Sequence, residues 1–396
     1  SGSRYGFSVM TAVPSVRLGS LYGLYFAVVA LSIGWFGPFF QSLGFSATEI
    51  GIAIGVLTAS KIIAPYLWGT LGDLLPNRLR VVQIGIIGST LAAGLLLLEV
   101  DFLGLCLVLA LFGFFWNAII AQFDTLTLDY LGKNHHRYSI IRVWGSIGFI
   151  AMMLASGRLF SDIEYGILPW LIICGLTTSV LISLTLPARQ NIHPSNHGDE
   201  GIRARLTNTS VLIFLVVASL NQLTHGPLNV FFTLYVQDHG YSPFQAGQLW
   251  ALGVLAEVVL FFVLPRFILR LDLRVLLTVS LALGSIRWFL TGAFPDAVWL
   301  VIVLQLLHAF TFGAIHSVSI EFIRRWFPGN LSGRGMALYS GCVFGIGGSL
   351  GAALSGFAWE SLGGSVTFLC AGLITGSTAI LAWFGLQNAR LGAQSF

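Results

Sequence analysis

The chain has 396 residues, 56% of them hydrophobic and 9% charged, with a mean hydropathy of +0.85. A water-soluble domain carries roughly 25% charged residues, so a soluble enzyme or a nucleic-acid binder is excluded at the start. The net charge of +4 implies no polyanionic partner.

Twelve apolar runs are long enough to span a bilayer. They predict helices at about 18–42, 47–69, 80–99, 102–131, 138–160, 165–186, 209–237, 243–265, 272–294, 297–323, 335–359 and 364–386. Runs this long without two-residue alternation exclude membrane strands. The expected fold is an all-α membrane protein with an N-terminal tail at 1–17 and a six-helix bundle at 18–186. A polar linker at 187–208, a second six-helix bundle at 209–386 and a tail at 387–396 follow. The first run is too long for a cleavable signal peptide, and the nine residues before Met10 are open to reading as an added leader. Cys106, Cys174, Cys342 and Cys370 lie far apart in apolar runs and read as small buried hydrophobes, with no metal spacing.

Basic residues set the orientation. Lys61, Arg142 and Arg287 fall inside spans and Arg158 on the outer side. The remaining basic residues, among them Arg78, Arg80, Lys133, Arg137, Arg203, Arg205, Arg270 and Arg274, gather at the ends that share a face with both termini. Both termini are therefore expected in the cytoplasm.

Residues 44–51 read GFSATEIG and residues 240–247 read GYSPFQAG, 196 positions later. Each opens an even-numbered span with a capping box, Ser46 with Glu49 and Ser242 with Gln245. Ser156-Gly157 and Ser355-Gly356 are a weaker echo. Two such halves in parallel repeat are the organisation of major facilitator transporters. The stretch Gly69 to Asp73, with Arg78 and Arg80, resembles that superfamily's motif between helices 2 and 3, from which Pro76 and Asn77 depart. It suggests a gating role for Asp73 and Arg78.

A charge at the bilayer centre costs at least about 2.5–3.5 kcal/mol, so each buried charge calls for a role. In span 4, Asn117 and Asp124 lie seven residues apart on one face. Arg142 in span 5 can meet Asp124, either as a fixed ion pair or as a cavity pair whose Arg142 takes the substrate's polar or anionic group. Span 7 carries Asn221, His225 and Asn229 on one face beside Pro227, a cavity wall that bends. Glu257 in span 8 stands alone among apolar residues, as a carrier of a coupling proton would. The repeat offset maps it onto Lys61 in span 2, a candidate counter-ion. Arg287 and Trp288 lie in span 9. Gln305, His308, Phe312 and His316 form one stripe of span 10.

The segments YSIIRVWGS (138–146), LWALGVLAE (249–257), Arg287-Trp288 and QLLH (305–308) resemble the phenylpropionate permease group, related to lactose permease and the nucleoside–proton symporters. The resemblance runs from the first span to the last. It implies proton symport of small polar metabolites across a bacterial-type inner membrane, with a proton gradient and no cofactor. It also implies a substrate site containing Asp124, Arg142 and Arg287, with Glu257, His308 and His316 in proton coupling. Lactose permease has an acid one turn after its helix 10 histidine. Here Thr311 follows His308 and Ser319 follows His316, which shifts the proton to Glu257.

The expected activity is proton-coupled import of a small metabolite, an aromatic or other organic acid first and a nucleoside or sugar next, by a monomer in the lipid bilayer. Asn117, Asn221, His225, Trp288 and Gln305 join the expected substrate-binding set. The alternative is proton-antiport export of drugs or siderophore-like compounds. A membrane receptor would not need ionisable groups in six helices, and no enzymatic constellation stands out.

Overall fold

A computed structural model describes residues 13–75, 77–187, 205–266, 268 and 271–387. Among these residues twelve helices are long and apolar enough to cross a membrane, and no strand occurs. They are α1 (Ser15–Ser42), α2 (Ala47–Leu74), α3 (Arg78–Leu97), α4 (Phe102–Leu131), α5 (Asn134–Leu159) and α6 (Tyr165–Leu184). The second six are α7 (Thr209–Asp238), α8 (Pro243–Arg266), α9 (Leu273–Ala293), α10 (Val298–Trp326), α11 (Ser332–Leu362) and α12 (Gly364–Gly385). Starts shift by a few residues from the hydropathy runs. Pro76, Arg203, Arg270 and most of the expected linker, His193 included, lie outside the described residues.

The helices divide into two bundles. The largest apolar core runs through α1 to α6 around Trp35, Phe40, Phe112 and Leu168 and takes in Val230, Phe231 and Leu234 of α7, while a second core is built from α7 and α9–α12 around Phe214, Leu277 and Phe322. Glycines let corresponding helices touch, though not at corresponding positions. Gly148 of α5 lies against the backbone of Gly23 in α1, and Gly226 of α7 against that of Gly351 in α11. Small residues of this kind permit close backbone approach where lipid offers no hydrophobic drive for helices to associate.

Both repeat motifs fold alike. Gly44 and Gly240 turn with φ of 90° and 84°, a conformation that suits glycine. Ser46 with Glu49 and Ser242 with Gln245 then form complete capping boxes. Each motif meets the Ser-Gly pair of the opposite bundle. A Cβ on Gly356 would stand 2.5 Å from the carbonyl of Ala47, and one on Gly157 would stand 2.9 Å from that of Pro243. These crossings, with the Thr48 amide donating to Glu360 at 2.9 Å and Gln237 donating to Tyr165 at 2.7 Å, fasten the bundles at the face opposite both termini.

Among the described residues three helices are irregular in mid-span. α7 is interrupted at His225, with Pro227 in the first turn of the segment that follows. α10 holds a π-helical turn at Ala309–Ala314 and α11 another at Ser340–Gly347. Single π turns are frequent at functional sites.

Candidate functional site

In the N-terminal bundle, Asp124 on α4 and Arg142 on α5 meet as expected, with Nε to Oδ1 at 3.6 Å and 32% of each side chain exposed. The pair is not closed on itself. The Tyr22 hydroxyl donates to Asp124 Oδ1 at 2.6 Å. The Arg142 guanidinium lies over the rings of Tyr22 and Phe26, 5.2 and 4.5 Å from their centroids. A partly exposed cation held over aromatic faces is positioned to receive another group.

Asn117 behaves otherwise. Its amide donates to Ser60 Oγ at 2.7 Å and to the Leu57 carbonyl at 3.2 Å, so both donor hydrogens tie α4 to α2. Asp73 accepts from Arg78 at 2.9 Å, and Arg78 also donates to Gln122 at 3.0 Å. These bonds join α2, α3 and α4. Asn77, which departs from the superfamily motif, caps α3 by accepting from the Leu79 amide at 3.0 Å.

The C-terminal bundle builds a second centre from α7 to α10. Arg287 is 0% exposed and donates to Thr311 at 2.8 Å, to Gln305 at 3.2 Å and to His308 Nδ1 at 3.2 Å. A guanidinium only donates, so Nδ1 of His308 is the acceptor and Nε2 carries the ring hydrogen. That Nε2 faces Glu257 Oε2 at 3.7 Å, too long for a direct hydrogen bond but within reach of the charge. Glu257 is therefore not the isolated carboxyl that α8 alone suggests. Apolar sequence neighbours conceal a partner on another helix. Glu257 and His308 keep 15% and 12% of their side-chain surface open.

Behind them the site is sealed. Asn221, His225, Trp288 and Gln305 are buried. His225 Nδ1 donates to the Asn221 carbonyl at 2.8 Å, and its ring meets that of Trp288 edge-on at 5.1 Å. His225 Nε2, Trp288 Nε1 and Arg287 Nε are buried without a hydrogen-bond partner among the described residues. These residues are closed to solvent in this conformation.

The expected stripe on α10 is real despite the π turn. The rings of His308, Phe312 and His316 stack nearly parallel, at 5.5 and 6.0 Å. His316 Nδ1 lies 3.4 Å from the Tyr339 hydroxyl. The ring of Phe344 on α11 lies 6.1 Å from that of His316 and 5.8 Å from the Lys61 ammonium of α2, so the α10 stripe faces the cleft between the bundles. Glu321 at the end of α10 pairs with Arg324 at 2.8 Å and Arg325 at 2.7 Å, away from the cleft. An apolar void lined by Tyr25, Trp116 and Phe123 lies within the N-terminal bundle and is separate from this cleft. Sequence reasoning missed Tyr22, for which nothing local gave a sign. It also missed Thr311 as a partner of Arg287, although Thr311 stands three residues after His308 on the same face.

The chain matches the model of the MFS_1 like family over residues 15–370. It is 26% identical over 361 residues to the probable 3-phenylpropionic acid transporter of Escherichia coli, covering 88% of this chain and 92% of that one. It is 23% identical over 336 residues to the maltose permease of Geobacillus stearothermophilus, covering 83% and 84%. The crystal structure of the nucleoside transporter NupG superposes with a TM-score of 0.79 at 18% identity, covering 94% of this chain and 98% of that one. Each of these proteins is a transporter and none is an enzyme.

Proposed function

The chain belongs to the MFS_1 like family and is a multi-pass membrane transporter, and on that premise we propose that it imports a small organic acid together with protons by alternating access. The carrying observation is the chain Arg287–His308–Glu257. Arg287 occupies the Nδ1 lone pair of His308, so a second proton on that ring would break a bond to a buried cation. The partly open Glu257 is left as the group that takes up and releases a proton. Arg142, the partly exposed cation of the N-terminal bundle, is the cation on the substrate side. An aromatic acid is the favoured cargo, in line with the 3-phenylpropionic acid relative, ahead of a nucleoside or sugar.

Both termini then lie in the cytoplasm of a bacterial-type inner membrane, the fastened face is the outer one, and the carrier works as a monomer. Asp73 and Arg78 act in gating, as a tie between helices that slide during the cycle. The test compares counterflow with proton-driven uptake in proteoliposomes. Glu257→Gln should exchange substrate but fail at uphill uptake. Uphill uptake equal to wild type would rule Glu257 out as the coupling group.

A further inference from the structure

Lys61 stands halfway along α2, at the middle of the bilayer. The other embedded cations have partners: Arg142 has Asp124, and Arg287 has three hydrogen-bond acceptors. Among the described residues Lys61 forms no ion pair with a carboxylate. It meets a ring instead, with Nζ 5.8 Å from the centroid of Phe344. Phe344 belongs to the π turn of α11. That turn lies tight against α2 because residue 345 is glycine, where a Cβ would stand 2.6 Å from Ile62 Cγ1.

Phe344 continues the aromatic stripe of α10. Its ring is 6.5 Å from Phe312 and 6.1 Å from His316. Phe312 stacks on His308, which faces Glu257. A wall of flat rings therefore runs from the Glu257 carboxyl to the Lys61 ammonium.

We propose that Lys61 is the charge selector of the substrate site and receives the carboxylate of a monoanionic aromatic acid whose ring lies against Phe344 and Phe312. The assignment rests on organic-acid import as the function and adds how an acid is told from a neutral molecule of the same shape. An unpaired ammonium in the bilayer is costly, and an anionic substrate relieves that cost only in the loaded state. A neutral amide, nucleoside or sugar does not. Arg142 cannot make this distinction alone, because Asp124 already balances it and a neutral polar group suits the pair as well. A compact ammonium on a flexible stem also follows a carboxylate without demanding a fixed bidentate geometry.

The test measures equilibrium binding without a proton gradient, using phenylacetate and its neutral amide, phenylacetamide, on purified wild type, Lys61→Gln and Lys61→Arg. Wild type should prefer the acid at least 10-fold. Lys61→Gln should lose that preference while binding the amide as wild type does, and Lys61→Arg should keep most of it. Lys61→Met, which puts an apolar chain into an apolar seam, replaces the Gln variant if that one does not fold. An unchanged preference in Lys61→Gln or Lys61→Met overturns the proposal, as does a wild type that binds both probes equally or neither. Loss of acid selectivity in the variant with proton-driven uptake retained in wild type supports both conclusions. Acid selectivity without proton-driven uptake in wild type supports Lys61 and sinks proton coupling alone.

Discussion

Arg287 donates to Nδ1 of His308 at 3.2 Å, and that bond decides which nitrogen of the ring looks at Glu257. The guanidinium is fully buried, with Gln305 and Thr311 as its other acceptors. The histidine thus connects a permanent charge, which cannot leave, to a carboxyl that keeps a partly open face.

Replacing Arg287 by Lys should therefore damage stability and coupling together. One ammonium on a shorter, non-planar head cannot reach three acceptors spread over the guanidinium fork. Each buried acceptor left unsatisfied costs about 1–3 kcal/mol. Thermal unfolding in detergent should shift down by several degrees, and uphill uptake should fall further than counterflow. Equal loss of both transport modes at unchanged stability would show that Arg287 holds substrate and not His308.

Arg142→Ala should weaken substrate binding at least 10-fold, and Arg142→Lys should retain part of it. Lys keeps the charge but loses the planar contact with Tyr22 and Phe26, worth about 0.5–2 kcal/mol. A fixed structural pair behaves otherwise: the neutral double variant Asp124→Asn/Arg142→Gln would then restore both stability and binding. Binding titrations beside unfolding curves for all three variants separate the two roles.

These contrasts mirror what was legible in the sequence. The twelve spans, the paired capping boxes and the Asp124–Arg142 meeting follow from hydropathy, local spacing and antiparallel neighbours, which are properties of one or two helices. The Glu257–His308 contact needed the packing of α8 on α10, which no local pattern encodes. The break in α7 falls at His225, just ahead of the proline, because a proline is tolerated in the first turn of a helix and ends the one before it. Trp288 and Asn117 read as polar-tipped site residues, yet helix rotation turns Trp288 into the core and points Asn117 at α2. A few tens of degrees of rotation decide this, and hydropathy in an all-apolar helix does not set them.

Asn117→Ala tests that distinction. Hydrogen bonds between membrane helices average about 0.6 kcal/mol, so losing the bonds to Leu57 and Ser60 should lower thermal stability by roughly 1 kcal/mol in total. Substrate affinity should stay within twofold. A large affinity loss with unchanged unfolding would instead place the Asn117 amide on the substrate.

Two kinds of contact close the face opposite the termini: the Thr48–Glu360 and Gln237–Tyr165 hydrogen bonds, and the glycine crossings of α2 on α11 and α5 on α8. The crossings should dominate. Glu360 is exposed, and water competes for its hydrogen bond. A Cβ on Gly51 would stand 2.6 Å from the Ala352 carbonyl and 2.8 Å from the Gly356 Cα. Both are backbone atoms, so no side-chain rotation relieves the clash and the helices must part. Gly51→Val should therefore shift the carrier towards opening at this face and slow transport, whereas Glu360→Gln should change little. The readout is a cysteine placed at Thr48, with the four native cysteines replaced because Cys174 is exposed. A membrane-impermeant maleimide should label it several-fold faster in the Gly51→Val background than in the Glu360→Gln background. Equal labelling of the two would mean that the glycine crossing does not hold the face shut, and that alternating access does not work through this seam.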